Sequence, residues 1–245
     1  MRHIRIVIPS LVAVFALCAV AASSASAKEI LFELPSGQSY PVLFLSVASA
    51  TLFETESGVI FKCTASTSHG YIEDAHLGTV ATTFTGCTTK IIVTLGCQTP
   101  GAAKGEIVLP NGSFHLGLEH TSTSSTVPAL LFLLPEESGK HQFTFECGGS
   151  NVTLTGDAIG LLEVLGGGRP VSGVQYSSAL LSFKQSGGKQ NSTSFLLSLT
   201  MPENELMTGQ HLTAESALFG TTGSALEVDR KLDGFSSGTI GLEEH

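Results

Sequence analysis

The sequence predicts an all-β protein, an antiparallel β-sandwich or barrel of many short strands that is stabilised by two disulfides. Charged residues make up only 13% of the 245 residues, whereas 29 Ser and 25 Thr supply much of the polarity. Hydroxyl and β-branched residues favour strands and turns over exposed helices. Short apolar runs also alternate with glycine-containing turns, and cysteines recur through the middle of the chain. Together these three observations exclude coiled coils and charged helical bundles.

Residues 1–27 have the pattern of a secretory signal peptide. Arg2 and Arg5 supply the positive charge, an apolar run occupies residues 6–20, and the small residues Ala-Ser-Ala stand at 25–27. A retained transmembrane anchor is the alternative, but a proline and a serine interrupt the apolar run and leave it too short to span comfortably. We therefore expect cleavage, and a mature chain that is secreted or associated with the cell envelope.

Removal of this segment makes the chain more acidic. Residues 28–245 hold 10 basic and 21 acidic residues, a net charge of −11, and Arg230-Lys231 is their only adjacent basic pair. Nucleic acids and anionic membranes attract clustered Lys and Arg, so we expect no nucleic-acid partner. No second apolar stretch reaches membrane-spanning length, so we expect no membrane span after signal cleavage. The expected partner is an unidentified extracellular or cell-wall component.

The mature chain, residues 28–245, is predicted to be a single all-β domain. Gly166-Gly167-Gly168-Arg169-Pro170 is the one candidate linker, and it marks a potential subdivision near residues 166–170. The part after it holds about 75 residues, which is marginal for independent folding. We therefore expect it to pack against the preceding part.

Four cysteines remain in the mature chain: Cys63, Cys87, Cys97 and Cys147. An even number in an exported protein predicts disulfides, and three pairings are open. We favour Cys87 with Cys97, since each follows a glycine and the short segment between them fits a hairpin-like loop; Cys63 then pairs with Cys147. A metal site is the alternative, but the four form no C-x-x-C pair and have no histidine at ligand spacing.

Strand-like runs with β-branched, Leu or Phe residues recur between turns. They lie at residues 41–47, 59–64, 79–85, 91–95, 106–109, 113–118, 142–147, 151–155 and 180–184, and 127–134 is at most one further buried strand. Pro110-Asn111-Gly112 separates two of these runs. Because Asn-Gly supplies the positive φ angles of a tight turn, this tripeptide predicts a hairpin.

Several segments between residues 60 and 228 resemble an uncharacterised family of secreted, four-cysteine, β-rich proteins that is abundant in soil actinomycetes. They are Thr83-Phe84-Thr85-Gly86-Cys87 with Cys97 after it, Gly105-Glu106-Ile107, Phe143-Thr144-Phe145-Glu146-Cys147, Phe183-Lys184-Gln185-Ser186-Gly187-Gly188-Lys189-Gln190 before Ser194-Phe195, and Ser224-Ala225-Leu226-Glu227-Val228. The resemblance implies export, a β-rich fold and structural cysteines, but no substrate or catalytic residue. Residues 114–120 and 229–245 depart from the family pattern.

Local catalytic and cofactor motifs are missing from the sequence. It contains no G-x-S-x-G elbow, H-E-x-x-H pair, phosphate-binding loop or G-x-G-x-x-G fingerprint. Paired carboxylates for glycoside hydrolysis could be sought only in Glu136-Glu137 or in Glu203 and Glu205, which we interpret as solvated turn acids. We therefore predict no catalytic residue and no cofactor.

One histidine cluster stands out around residue 115. On a strand, His115 and Glu119 would point to one face and His120 to the other. A zinc or copper site would need a further ligand, supplied by one of several distant histidines. Those histidines are His69, His76, His141 and His211. We favour polar histidines without a metal.

These features favour a secreted structural or binding protein with no enzymatic activity. The alternative is an extracellular hydrolase whose active site is not visible as a local motif. The tertiary structure distinguishes the two classes. An enzyme should bring several titratable groups together in a deep pocket, whereas a binding module should present apolar surface or an exposed strand edge.

Overall fold

The computed structural model describes residues 29–120, 126–192, 194–197, 206–208 and 212–244. The predicted signal peptide therefore lies outside the described residues, as do Glu203, Glu205 and His211. The described residues consist of strands and their connections, which confirms the all-β prediction. Among them, no helix is long and apolar enough to cross a membrane.

The strands are numbered in chain order. Their bounds are β1 Ile30–Glu33, β2 Val42–Ala48, β3 Thr51–Thr55, β4 Ile60–Cys63, β5 Ala65–Ile72, β6 Leu77–Thr85, β7 Thr88–Lys90, β8 Thr94–Gln98, β9 Ile107–His120, β10 Thr126–Leu133, β11 Glu136–Glu137, β12 Lys140–Cys147, β13 Ser150–Val164, β14 Gln175–Tyr176, β15 Ala179–Phe183, β16 Gln185–Ser186, β17 Lys189–Gln190, β18 Ser194–Leu197, β19 Leu206–Thr208, β20 Leu212–Ser216, β21 Gly220–Asp233 and β22 Ile240–Glu244.

Antiparallel pairings close most of these strands into a barrel, while β1, β14 and β22 form a separate sheet and β16 and β17 another. The barrel wall has eight positions, and six of them are each formed by two strands. In order around the barrel the positions are β2 with β3, β4 with β5, β6 with β7, β8 with β9, β10 with β12, β13 alone, β15 with β20, and β21 alone. The wall closes where β21 pairs with β2 and β3. Each position neighbours the next one in the sequence, so the chain runs up and down around the barrel. β13 and β15, on either side of residues 166–170, are direct neighbours.

The barrel has two stacked parts that share the long strands β13 and β21. We call the part built from β3, β4, β7, β8, β12 and β20 the cysteine tier, and the part built from β2, β5, β6, β9, β10 and β15 the cavity tier. A small sheet in the order β1-β22-β14, here called the cap sheet, lies outside the ring of pairings.

The parity of the inward-facing residues changes between the tiers. In β2 the even residues Phe44 and Ser46 are buried, while Leu45 and Val47 are about half exposed. In β3, buried residues fall instead at odd positions such as Phe53. Strand residues alternate between faces, so this change requires an irregularity between β2 and β3. The irregularity also explains why this position of the wall consists of two short strands, β2 and β3.

Aromatic rings fill the cysteine tier. Phe61 and Phe145 are each 1% exposed and meet edge to face, with ring centroids 5.6 Å apart. Phe219 packs on the other side of Phe61 at 6.1 Å. Such edge-to-face pairs add about 0.5 to 1.5 kcal/mol each beyond the area that they bury.

The four cysteines form a row across neighbouring strands: Cys63 lies on β4, Cys87 directly before β7, Cys97 on β8 and Cys147 on β12. The favoured pairing was wrong. The disulfides are Cys63–Cys87 and Cys97–Cys147. The expected hairpin exists, and the Cys97 N–H donates to the Cys87 carbonyl oxygen at 2.9 Å. In an antiparallel ladder a backbone-bonded pair holds its side chains further apart than the non-bonded pair does. Each central cysteine therefore bonds outward, to a neighbour whose Cα is 4.0 or 4.1 Å away.

The hairpin predicted at Pro110-Asn111-Gly112 was also wrong, because all three residues lie inside β9. The φ angle of Gly112 is not positive, so this glycine does not form a tight turn. A Cβ at Gly112 would lie 2.8 Å from Cζ of Phe132. The glycine is thus needed for the close approach of an aromatic ring from the neighbouring strand.

Tryptic mapping without reduction tests the disulfide pairing. Trypsin cleaves at Lys90, between Cys87 and Cys97, but no Lys or Arg separates Cys63 from Cys87. We expect peptide 63–90 to carry an internal disulfide and to be free of other peptides, while the Cys97 peptide is bonded to the Cys147 peptide. Both alternative pairings would join all three peptides in one species, which mass spectrometry would detect.

Substitution of Gly112 by alanine tests the ring contact. The added methyl group would press on Phe132, and overpacking of this kind costs about 1 to 3 kcal/mol of unfolding free energy. Gly96→Ala in β8 is the matched control, since its nearest neighbour would be Cε of Lys104 at 3.8 Å. Urea unfolding should show a loss for Gly112→Ala only. Equal stability of the two variants would contradict the packing argument.

Candidate functional site

The interior of the cavity tier contains an apolar cavity of about 120 Å³. Its wall is built from the inward-facing side chains of neighbouring strands. Most of them are aromatic or aliphatic, and they include Phe44, Phe84, Phe114, Leu130, Phe132 and Phe183. An engineered apolar cavity of about 150 Å³ is enough to bind benzene, so this space suits a small apolar group.

Both ends of the cavity are covered by side chains. Phe53 and Phe145 of the cysteine tier contribute to its lining at one end. Phe32, Tyr176 and Leu242 of the cap sheet contribute to it at the other. The filled cysteine tier and the cap sheet thus turn the middle of the barrel into a chamber.

Two inward-facing glycines help to keep this chamber open. Gly70 lies directly opposite Phe44 in the ladder, and Gly78 lies directly opposite Phe114. A Cβ at Gly70 would come within 2.7 Å of Cζ of Phe44, and one at Gly78 within 2.8 Å of Cε1 of Phe114. Each ring therefore lies against the backbone of its neighbouring strand. Along the wall, the rings line the cavity instead of filling it.

A polar ladder crosses this apolar wall. Ser46, Ser68 and Thr82 lie opposite one another on β2, β5 and β6, and Arg230 comes from β21 beside them. Nε of Arg230 donates to Oγ of Ser46 at 3.2 Å, and Nη2 donates to Oγ of Ser68. Oγ of Ser68 and Oγ1 of Thr82 are 2.7 Å apart. All four residues line the cavity.

Arg230 is a buried cation, only 7% exposed. No carboxylate of the described residues lies within 4.0 Å of its guanidinium, and its bonds go to hydroxyl groups alone. Desolvation lowers the pKa of Arg230 to about 10, so the side chain stays protonated at neutral pH. An unpaired charge in such surroundings costs several kcal/mol.

Two acidic residues of β13, Asp157 and Glu163, also contribute to the lining of the cavity. Asp157 takes part in a further interaction, so it is not free, and Glu163 is half-buried. Neither forms an ion pair with Arg230. The ladder is therefore the point of positive charge in an otherwise apolar and weakly acidic chamber.

The histidines considered for a metal lie elsewhere. His115 and Glu119 occupy alternate positions of β9, facing away from the buried Phe114 and Leu116, while His120 ends the strand. Strand β18 pairs with β9 at Glu119, and Glu119 is buried there. Phe195 of β18 packs with residues on the outer side of the barrel wall. The described residues contain no group of three or more His, Cys, Asp or Glu arranged to hold a metal ion.

The other histidines have separate partners. Nε2 of His76 lies 2.9 Å from Oε1 of Glu29, and Nδ1 of His141 lies 2.8 Å from the Leu134 carbonyl oxygen. His69 is exposed on β5. Glu136-Glu137 forms the exposed two-residue strand β11, in keeping with solvated acids. None of these side chains lines the cavity.

Arg230 was not predicted as a site residue and was noted in the sequence only as half of a basic pair. A signal was present, because the inward positions of β21 carry Leu226, Val228, Arg230 and Leu232. A charge within an apolar alternation marks an exception to the pattern of a buried face.

No family model, curated protein or solved structure matches the chain.

The pKa of His115 predicts a pH dependence of stability. Desolvation by burial lowers this pKa below 6.5; His141 and His76 act in the same direction, while Asp74 opposes them. The unfolded chain therefore binds a proton at His115 at higher pH than the folded protein does. The free energy of unfolding should fall as pH drops from about 6.5 through the lower folded pKa.

His115→Gln should remove this contribution, so the variant should lose less stability than the wild type between pH 7 and 5. Urea unfolding at several pH values measures it. His69→Gln, at an exposed position of β5, is the control. Identical pH profiles for the wild type and His115→Gln would contradict the prediction.

Proposed function

We propose that this protein is exported to the cell envelope or the extracellular space and binds a small, predominantly apolar molecule inside the barrel. The apolar cavity of the cavity tier is the observation that carries the proposal. Small-molecule sites are concave and mostly apolar, with a few polar groups that orient the ligand.

The energetic cost of an empty cavity supports a bound occupant. At about 24 cal/mol per Å³, an unfilled volume of 120 Å³ corresponds to about 3 kcal/mol of lost stability. A ligand that fills the space restores dispersion contacts, and each methylene group that it buries contributes about 0.8 kcal/mol of hydrophobic free energy. An apolar molecule of matching size would therefore bind and raise the stability of the folded state.

Export is supported by the signal pattern of residues 1–27, by the resemblance to a secreted family and by the two disulfides. Disulfides persist mainly in oxidising compartments. An extracellular hydrolase would be expected to bring several titratable groups together in its cavity. Arg230, Asp157 and Glu163 do line this cavity, but neither acid forms an ion pair with Arg230 and the rest of the wall is mostly phenylalanine and leucine, which favours binding over hydrolysis.

A cavity-filling substitution tests the proposal. Ala158 on β13 is 2% exposed and lines the cavity, so Ala158→Leu would occupy part of the space. We expect the wild type to bind 1-butanol or benzene in isothermal titration calorimetry, with at least about tenfold weaker binding to the variant. Ala103→Leu, at an exposed loop position, should bind as the wild type does.

Thermal unfolding of Ala158→Leu without ligand checks that the variant is folded, since overpacking alone costs about 1 to 3 kcal/mol. Binding that persists unchanged in the folded Ala158→Leu protein would place the ligand outside the cavity. Failure of the wild type to bind either probe would contradict the proposed function itself.

A further inference from the structure

We infer that Arg230 and the hydroxyl ladder beside it form a headgroup site for a carboxylate, so that the molecule bound in the barrel is a small amphiphilic monocarboxylate. This inference rests on the proposed function and specifies the chemistry of the ligand.

The first support is the set of donors on the inner wall. Arg230 uses Nε and Nη2 for Ser46 and Ser68, and its Nη1 has no acceptor among the described residues. The hydroxyl group of Thr82 continues the ladder into the same cavity. A guanidinium presents its N–H groups in a planar fork that matches the two oxygens of a carboxylate.

The second support is the energetic position of Arg230. If the residue served only to fill the wall, an apolar side chain of similar volume would be equally or more stabilising there, because a buried charge must be desolvated. Neutral hydroxyl acceptors offset part of that penalty, but they provide no opposite charge. An anionic group from the ligand would supply this opposite charge beside Arg230, at the position where the wall of the cavity tier is polar.

The third support is that the cavity offers a single cation, which matches a ligand with a single negative charge. Arg230 is the one cationic side chain among the described residues of the lining, and the acidic side chains of Asp157 and Glu163 in the same lining oppose any further negative charge on the ligand. A dianionic phosphate monoester would leave at least one negative charge uncompensated in an apolar space. A monocarboxylate with an aliphatic or aromatic body satisfies both the single cation and the phenylalanine-rich wall.

A matched pair of probes tests the headgroup directly. Butanoate and 1-butanol have the same chain length and are small enough for a cavity of about 120 Å³, and only butanoate carries the charge. We expect calorimetry at pH 7 to show about tenfold to hundredfold tighter binding of butanoate by the wild type, in the range of a charge-assisted hydrogen bond. Butyl phosphate should bind more weakly than butanoate.

Arg230→Met should abolish the preference for butanoate while leaving the affinity for 1-butanol within about threefold of the wild type. Arg230→Lys should keep part of the preference, since it retains the charge but loses the planar fork. Lys231→Met is the matched control on the same strand, because Lys231 faces outward and pairs with Asp233 at 2.8 Å. The butanoate affinity of this control should equal that of the wild type.

A measurement on the wild type alone guards against misfolding of the variants. With butanoate labelled at its carboxyl carbon, the NMR shift should show a lowered carboxyl pKa in the bound state, because Arg230 stabilises the anion. A bound pKa that is unchanged or raised would overturn the headgroup assignment.

The outcomes separate the two proposals. Equal binding of butanoate and 1-butanol by the wild type and Arg230→Met would leave the apolar binding function intact and show the headgroup assignment to be wrong. Binding of neither probe would overturn both proposals. Tight butanoate binding that Lys231→Met weakens as much as Arg230→Met does would point to a surface charge effect and overturn the assignment.

Discussion

Closure of the sheet by backbone hydrogen bonds between β21 and β2 is the constraint on which the rest of the structure depends. Leu45 pairs with Asp233 and Val47 with Lys231, and this register joins the last wall position to the first. Once the ring is closed, the wall has no free edge and alternate residues face a common interior. Without this pairing, the two rows of side chains on β21 would face the two sides of an open sheet.

The two tiers use that interior differently. In the cysteine tier, aromatic rings and disulfides fill the space, and the crosslinks span 24 and 50 residues of sequence. On the chain-entropy model, each contributes about 3 to 4 kcal/mol. In the cavity tier, rings lie against inward-facing glycines and leave a chamber. The stability of the filled tier offsets the cost of the open one, which is a common division between a scaffold and its site.

Arg230 is the residue at which the local rules of a barrel interior are broken. Every neighbouring inward position on its strand is apolar, yet the charge is kept, and its hydrogen bonds go to Ser46 and Ser68. Departures of this kind are expected at functional sites, where stability is given up for recognition. The ladder therefore gives a physical reason for both the position and the chemistry of the proposed headgroup site.

The sequence by itself determined the all-β class, the locations of some of the wall strands, such as β2, β6 and β13, and the four cysteines as disulfide partners, whereas β5, β20 and β21 were not predicted. These properties depend on local propensity and on alternation within a few residues. It did not determine which cysteine bonds to which, since that depends on hydrogen-bonded and non-bonded positions in neighbouring strands. Gly112 was assigned to a turn because its local context resembles one, whereas its role is set by the ring of Phe132 on another strand.

Only the tertiary structure decided that the short segments join into a closed barrel with a cavity. The seryl and threonyl hydroxyls of the polar ladder are separated by up to 184 residues from Arg230, and no spacing rule connects them. Local sequence fixes which way a side chain faces along its own strand. Which strands become neighbours, and whether the space between them is filled, depends on contacts between distant residues.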